Sequence, residues 1–212
     1  MKRHFTEYLP QDVINMKYFS LDIESTGLDR DSCQILELGV IFEDTDNPKS
    51  YRDSSKFHAI IKKDSYTGQP YAIQLNNRIF RIISEIDPLP SGCEIFEAET
   101  DMIRSLANWA KICLNGSDNF RMTLAGKNVA AFDLQWLKPF VPKGQKFGTL
   151  FRHRTIDPAN MYAKPGDEDM PGLLECLERA GLDPSDYHTS LGDSWDIIKL
   201  VRKYWNYGLE LI

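Results

Sequence analysis

Apolar and polar residues alternate along residues 17–24, KYFSLDIE, with Phe19, Leu21 and Ile23 on one side and Asp22 and Glu24 on the other. Period two over a segment containing aromatic residues predicts a strand. Residues 35–43, ILELGVIFE, and 56–62, KFHAIIK, predict two more, separated by the polar loop DTDNPKSYRDSS. Three strands joined by short connections predict an antiparallel start to a sheet. The period then changes. Residues 71–86 and 97–114 carry apolar residues at helical spacing, for example Met102, Ile103, Leu106, Trp109, Ala110 and Cys113. RMTLA at 121–125 predicts a short strand, and 130–139 a helix stopping at Pro139. Residues 171–180 have Pro near the start and Gly181 just past the end, which are matching helix boundaries. A last helix over about 193–206 carries Trp195, Ile197, Ile198, Val201, Tyr204 and Trp205.

This order predicts an α/β fold, a mixed sheet with helices on its faces. No repeat, low-complexity tract or linker divides the chain, and 212 residues suit a single domain over 1–212. The formal net charge of −6 argues against a wide basic surface that coats long nucleic acid. It does not argue against an acidic metal site, where bound cations reverse the local field. Cys33, Cys93, Cys113 and Cys176 form no C-x-x-C pair and read as reduced thiols. The first 17 residues lack a continuous apolar run, and no segment has the length of a membrane span. The expected location is the cytoplasm, without a membrane partner.

Three groups of polar residues are hard to explain by packing. Asp22 and Glu24 lie two apart on one strand face, where two carboxylates repel each other unless a cation lies between them. The other reading is a solvated sheet face. Ser25, Thr26 and Gly27 follow at once, a sharp turn with a glycine that permits close backbone approach. Asp193 shares a helical stripe with Ile197 and Val201, so it ends a core-facing row and needs a partner. That partner is either a cation or the helix N-terminus itself, which an Asp can cap. His188, five residues earlier, can accept a proton near neutral pH, or be merely exposed. KNVAAFD at 127–133 puts Asn128 and Asp133 at a strand-to-helix junction, where a phosphate or a capping cluster would fit.

Taken together, DIESTG at 22–27, N-x-x-x-F-D at 128–133 and H-x-x-x-x-D at 188–193 resemble the DEDDh family of DnaQ-like 3′–5′ exonucleases. That family includes oligoribonuclease, ribonuclease T and the proofreading subunit of bacterial DNA polymerase III. The resemblance spans nearly the whole chain. It implies a ribonuclease H-like fold with a central mixed five-stranded sheet. It implies that Asp22, Glu24, Asp133 and Asp193 hold two divalent cations, Mg²⁺ or Mn²⁺, with Asp133 acting more indirectly, and that His188 is the general base. Ser25, Thr26, Gly27 and Asn128 would contact or orient the 3′-terminal nucleotide of a single-stranded or short nucleic acid, and the product would be a nucleoside 5′-monophosphate. Two positions depart from the family pattern. Lys127 stands where His often precedes the Asn, and Ser190 where Ala often follows the His by two. Asp157 resembles a structural Asp of the family.

Lys143, Lys146, Arg152 and Arg154 could meet phosphates, with a solvated loop as the other reading. Phe132, Trp136 and Tyr71 could stack on bases, with core packing as the other reading. RNA and DNA both remain open as substrates, because the choice turns on the 2′-hydroxyl. A homodimer also remains open. The competing class is an inactive exonuclease-like scaffold that binds nucleic acid or protein; it predicts a missing ligand or a missing His, and all five residues are present.

Overall fold

The computed structural model describes residues 15–116, 120–143, 146–185 and 189–212. Five strands form one sheet: β1 (Lys17–Ser25), β2 (Ile35–Asp44), β3 (Lys56–Ile61), β4 (Cys93–Phe96) and β5 (Leu124–Ala125), in the order β4-β3-β2-β1-β5. β1, β2 and β3 pair antiparallel, as the short connections predict. β4 joins β3 in parallel and β5 joins β1 in parallel, so the sheet is mixed. The first three strands match their predicted ranges closely. β4 escapes the alternation because only Cys93 of its four residues is buried on this edge of the sheet. A bulge between Glu24 and Ser25 shifts the β1–β2 register by one residue, where the chain leaves the sheet for the turn at 25–27.

The helices are α1 (Pro70–Leu75), α2 (Asn77–Ile83), α3 (Glu99–Cys113), α4 (Asp133–Leu137), α5 (Phe147–Leu150), α6 (Pro158–Tyr162), α7 (Leu173–Ala180) and α8 (Ser190–Trp205). The single helix expected over 71–86 is two, broken at the buried Asn76, which serves as C-cap of one and N-cap of the next. Pro139 does not stop the chain's winding: it sits in a 3-10 turn, Lys138–Phe140, that continues α4. α4 starts at Asp133 rather than at 130, because Asn128 takes a left-handed conformation and turns the chain first. α7 ends as its sequence suggests. Gly181 adopts φ +67°, and the amides of Gly181 and Leu182 close back on Glu178 and Leu177.

The two sides of the sheet differ in chemistry. Phe19, Leu21 and Ile23 of β1, with Leu38 and Val40 of β2, pack under Met102, Ile103, Leu106 and Ala110 of α3. Each such residue contributes about 1.5–3 kcal/mol when fully buried, and this side is the main apolar core. The other side lies beneath α8, where Tyr18, Ile41 and Ala125 meet Trp195, Ile197, Ile198 and Val201. Polar residues share that side with them. Ser20 Oγ donates to the Ser194 carbonyl at 2.7 Å, and Ser194 Oγ donates to the Gly39 carbonyl at 3.1 Å. Arg202 is fully buried and holds Glu43 through two bonds of 2.8 and 2.9 Å. No helix among the described residues is long and apolar enough to cross a membrane.

Candidate functional site

Asp22 and Glu24 sit on the α8 side of β1, and their partners across β2 are Gly39 and Glu37. A Cβ at Gly39 would come within 2.5 Å of the Ser190 carbonyl carbon and 2.6 Å of the Leu191 nitrogen. Only glycine lets the main chain of α8 lie against β2 there. That approach brings Asp193 down to β1. One carboxylate oxygen each from Asp22, Glu24 and Asp193 lie within 4.8 Å of one another. Asp193 does not cap its helix, the bland alternative read from its position. α8 begins three residues before the expected start, and Thr189 caps it by accepting from the Gly192 amide at 3.1 Å. Asp193 therefore lies inside the first turn, in the row that leads to the buried Ile197 and Val201.

Asp133, buried at the start of α4, accepts a hydrogen bond from the Ile23 amide at 3.2 Å. That amide is free because β5 pairs only with Phe19 and Ser20, so the edge of β1 farther along is unclaimed. Asp133 thus binds the main chain between Asp22 and Glu24. His188 lies outside the described residues.

Four carboxylates so placed disfavour their own ionisation. Burial pushes Asp22 well above the usual range, and Asp133, Glu24, Asp193 and Glu37 add repulsion. Burial drives Glu24 up to about 7, reinforced by Glu37 and Asp193 and opposed by Asn76 and Arg78. Asp193 also rises to about 7, from burial first and then from Asp196 and Glu37. Asp133 rises to about 7 because burial outweighs its backbone hydrogen bonds. Among the described residues, no lysine, arginine or histidine forms an ion pair with any of the four. A divalent cation would relieve this repulsion, and an all-carboxylate donor set suits the hard ions Mg²⁺ and Mn²⁺. The residues fit such a group.

The turn after β1 is built by its own packing. Thr26 is fully buried; its hydroxyl donates to the Thr67 carbonyl at 2.6 Å and accepts from the Gln34 amide at 2.8 Å. Its backbone N–H and carbonyl are also bonded, to Gln34 and Gln69. Its side chain is occupied within the protein, so it shapes the turn. Gly27 is glycine because a Cβ would lie 2.6 Å from Cys33 Sγ and 2.9 Å from Gln69 Cγ. The close approach that this glycine permits is made by the protein itself. Ser25 Oγ donates to the Gly27 carbonyl at 2.6 Å. Asn128 is exposed, with its amide bonded to Asp157 at 2.9 Å. Asp157 also caps α6 through the Ala159 amide, so its work is structural.

Of the aromatic candidates, Trp136 is in the core and Phe132 packs edge-on against it, whereas Tyr71 is 76% exposed. Lys143, Lys146, Arg152 and Arg154 are all exposed. Sequence reasoning missed Glu37, Gly39 and Asn76. Asn76 donates to the Ser25 carbonyl at 3.1 Å, next to Glu24. The signal for the first two was available: a glutamate and a glycine interrupt the otherwise apolar run ILELGVIF.

No protein-family model matches the chain, and no curated protein matches it by sequence. Solved structures do share its fold. Escherichia coli exonuclease I in complex with a dA16 oligonucleotide aligns with a TM-score of 0.55 at 14% identity, over 92% of this chain and 42% of that one. Cell-death related nuclease 4 aligns with a TM-score of 0.61 at 13% identity, over 91% of this chain and 64% of that one. The zinc-bound exonuclease I–single-stranded DNA complex gives 0.55 at 17% identity, over 88% and 40%. The chain thus spans well under half of exonuclease I and just under two thirds of the other nuclease. The mixed five-stranded sheet flanked by helices is the ribonuclease H-like fold that the resemblance implies.

Proposed function

We infer that this chain is a metal-dependent 3′–5′ exonuclease that releases nucleoside 5′-monophosphates from single-stranded or short nucleic acid. The observation that carries this reading is the convergence of Asp22, Glu24 and Asp193, with oxygens within 4.8 Å, from the first strand and the last helix. The packing of α8 on the sheet brings these residues together, and their mutual repulsion opposes it. Asp133 completes the set from a third element. The same blocks, in the same order, carry the resemblance to the DEDDh family.

Asp22, Glu24 and Asp193 would hold two divalent cations, with Asp133 steadying the strand between the first two. Bound there, such ions supply the charge that activates a water and stabilises the departing 3′ oxygen. The chain's own contribution is to fix that charge over one phosphodiester. His188, two residues before α8, would take the proton from the attacking water, a contribution of about 10²–10⁴-fold. The turn at Ser25, Thr26 and Gly27 would form the wall against the terminal nucleotide. Asn128, exposed at the neighbouring junction, would orient it. Tyr71, exposed on α1 two residues after Gln69, which bonds that turn, would stack on a base.

The test is release of labelled mononucleotide from matched RNA and DNA oligomers carrying either a 3′ or a 5′ label. Mn²⁺-dependent release beginning with the 3′ label is expected, and chelation should stop it. Binding of both oligomers without release in any metal would overturn the assignment and leave a nucleic-acid-binding scaffold.

A further inference from the structure

One carboxylate on the acidic side of the sheet has no place in the ligand set above. Glu37 is fully buried on β2, directly across from Glu24. Three elements converge on its two oxygens. His58 of β3 donates through Nε2 at 2.8 Å. Arg78 of α2 donates to both oxygens through one nitrogen, at 2.9 and 2.8 Å. The amide of Ser190, first residue of α8, donates at 3.1 Å. Burial alone would favour the protonated form, but these donors outweigh it and hold Glu37 at about 2. It is a permanent anion beside a helix N-terminus, where an unpaired amide and the helix dipole both favour negative charge.

The Ser190 amide is three residues from Asp193, so whatever fixes that amide fixes the carboxylate one turn on. The Ser190 hydroxyl plays no part in this anchoring, being buried and without a hydrogen-bond partner among the described residues. We propose that Glu37 is a positioning residue, which pins the first turn of α8 to β2 and so sets Asp193 against Asp22 and Glu24, with Arg78 as its brace on the solvent side. This rests on the reading of the acidic cluster as a cation site. Glu37 acts through its oxygens, which place the turn that carries Asp193. Groups that act behind metal ligands typically change affinity by about 10–100-fold when removed.

The experiment compares Glu37→Ala, Glu37→Gln, Arg78→Ala and the control Ile79→Ala. Ile79 is a buried apolar residue on α2 that packs with Leu36 and Ile60. Two readouts are taken well below the lowest Tm: Mn²⁺ affinity, from the spin-resonance signal of free Mn²⁺, and amide hydrogen exchange of the first turn of α8 without metal. Glu37→Ala should weaken Mn²⁺ binding about 10–100-fold and speed exchange in that turn. Glu37→Gln keeps an oxygen for the Ser190 amide, so its loss should be smaller, under about tenfold. Arg78→Ala should fall between the two. Ile79→Ala should lower Tm while leaving affinity and exchange at wild-type values. A purely structural Glu37 predicts that Glu37→Ala behaves like the control, and that result would overturn the proposal. If Glu37→Ala does not fold, wild-type affinity and exchange in both Glu37→Gln and Arg78→Ala would do so. A wild-type protein that binds no Mn²⁺ would instead refute the cation site, with hydrogen exchange still judging what Glu37 holds.

Discussion

The two ends of α8 lie over the same two strands and meet carboxylates in opposite ways. Towards its C-terminal end, Glu43 of β2 finds Arg202, buried and bonded to it twice. Tyr18 and Tyr207 bond each other nearby at 2.9 Å, and the Arg202 guanidinium lies 5.0 Å from the Trp195 ring centre. At its N-terminal end, among the described residues, Asp193 meets the carboxylates of Asp22 and Glu24. One end brings its own counter-charge, whereas the other assembles like charges and leaves the counter-charge to be supplied. The contrast teaches that burial of carboxylates does not by itself mark a functional site. The mark is burial without a cation from the chain, and Glu24 and Glu37 show this at closest range. They face each other across β1 and β2, yet one rises to about 7 and the other falls to about 2.

Substitutions should therefore act with opposite sign at the two ends. The largest effect expected is on catalysis: Asp22→Ala or Asp193→Ala should cut Mn²⁺-dependent nucleotide release by about 10³-fold or more, since charge supplied by metal ions is worth several kcal/mol. Single-turnover assays on purified, folded variants measure this, and wild-type rates in both would break the comparison. Next, Glu43→Ala should destabilise the fold by about 3–5 kcal/mol, because it leaves a buried guanidinium unpaired. Denaturant unfolding reads this loss, whereas Asp193→Asn should leave the metal-free protein as stable as wild type or more so.

The third expectation concerns pH. Asp22, Glu24, Asp133 and Asp193 all have folded-state values raised above the unfolded ones. The folded chain then holds more protons than the unfolded chain, so stability falls as pH rises. The metal-free Tm should drop from about pH 4 up through about pH 7, the window set by those shifts. Mn²⁺ should restore Tm at pH 8 and do little at pH 5. A metal-free Tm that climbs over this range would contradict the repulsion inferred for the N-terminal end. The smallest effect belongs to the rim. Tyr71→Ala should leave Tm unchanged and raise KM for an oligomer, since stacking of one base on an aromatic ring is worth about 1–3 kcal/mol.

Where local pattern governs, the sequence was a good guide. The alternation in KYFSLDIE correctly separates Phe19, Leu21 and Ile23 from Asp22 and Glu24, since side-chain direction in a strand follows from parity alone. The spacing of Asp193, Ile197 and Val201 correctly puts that carboxylate on the sheet-facing row. Distant pairing was less legible. β4 has too few buried residues to leave a pattern, and only parallel pairing with β3 makes it a strand. Residues 71–86 keep helical periodicity across a break, because Asn76 interrupts the helix to reach the Ser25 carbonyl, a contact that is not local. At Gly27 the glycine marks a close approach within the chain, to Cys33 and Gln69, which local pattern does not identify. Glu37 and Gly39 interrupt the run ILELGVIF but leave no local signal of their roles, which exist only once α8 lies across them.

Gly39 has a consequence for how this protein tolerates change. It donates no atom to any reaction, yet it faces Asp22 and leaves the gap into which the helix backbone settles. A methyl group there would prise the last helix from the second strand and part the carboxylates on either side, while much of the hydrophobic interior stayed intact. In a saturation scan, position 39 should rank with the acidic residues themselves in intolerance, for want of room rather than for lack of chemistry.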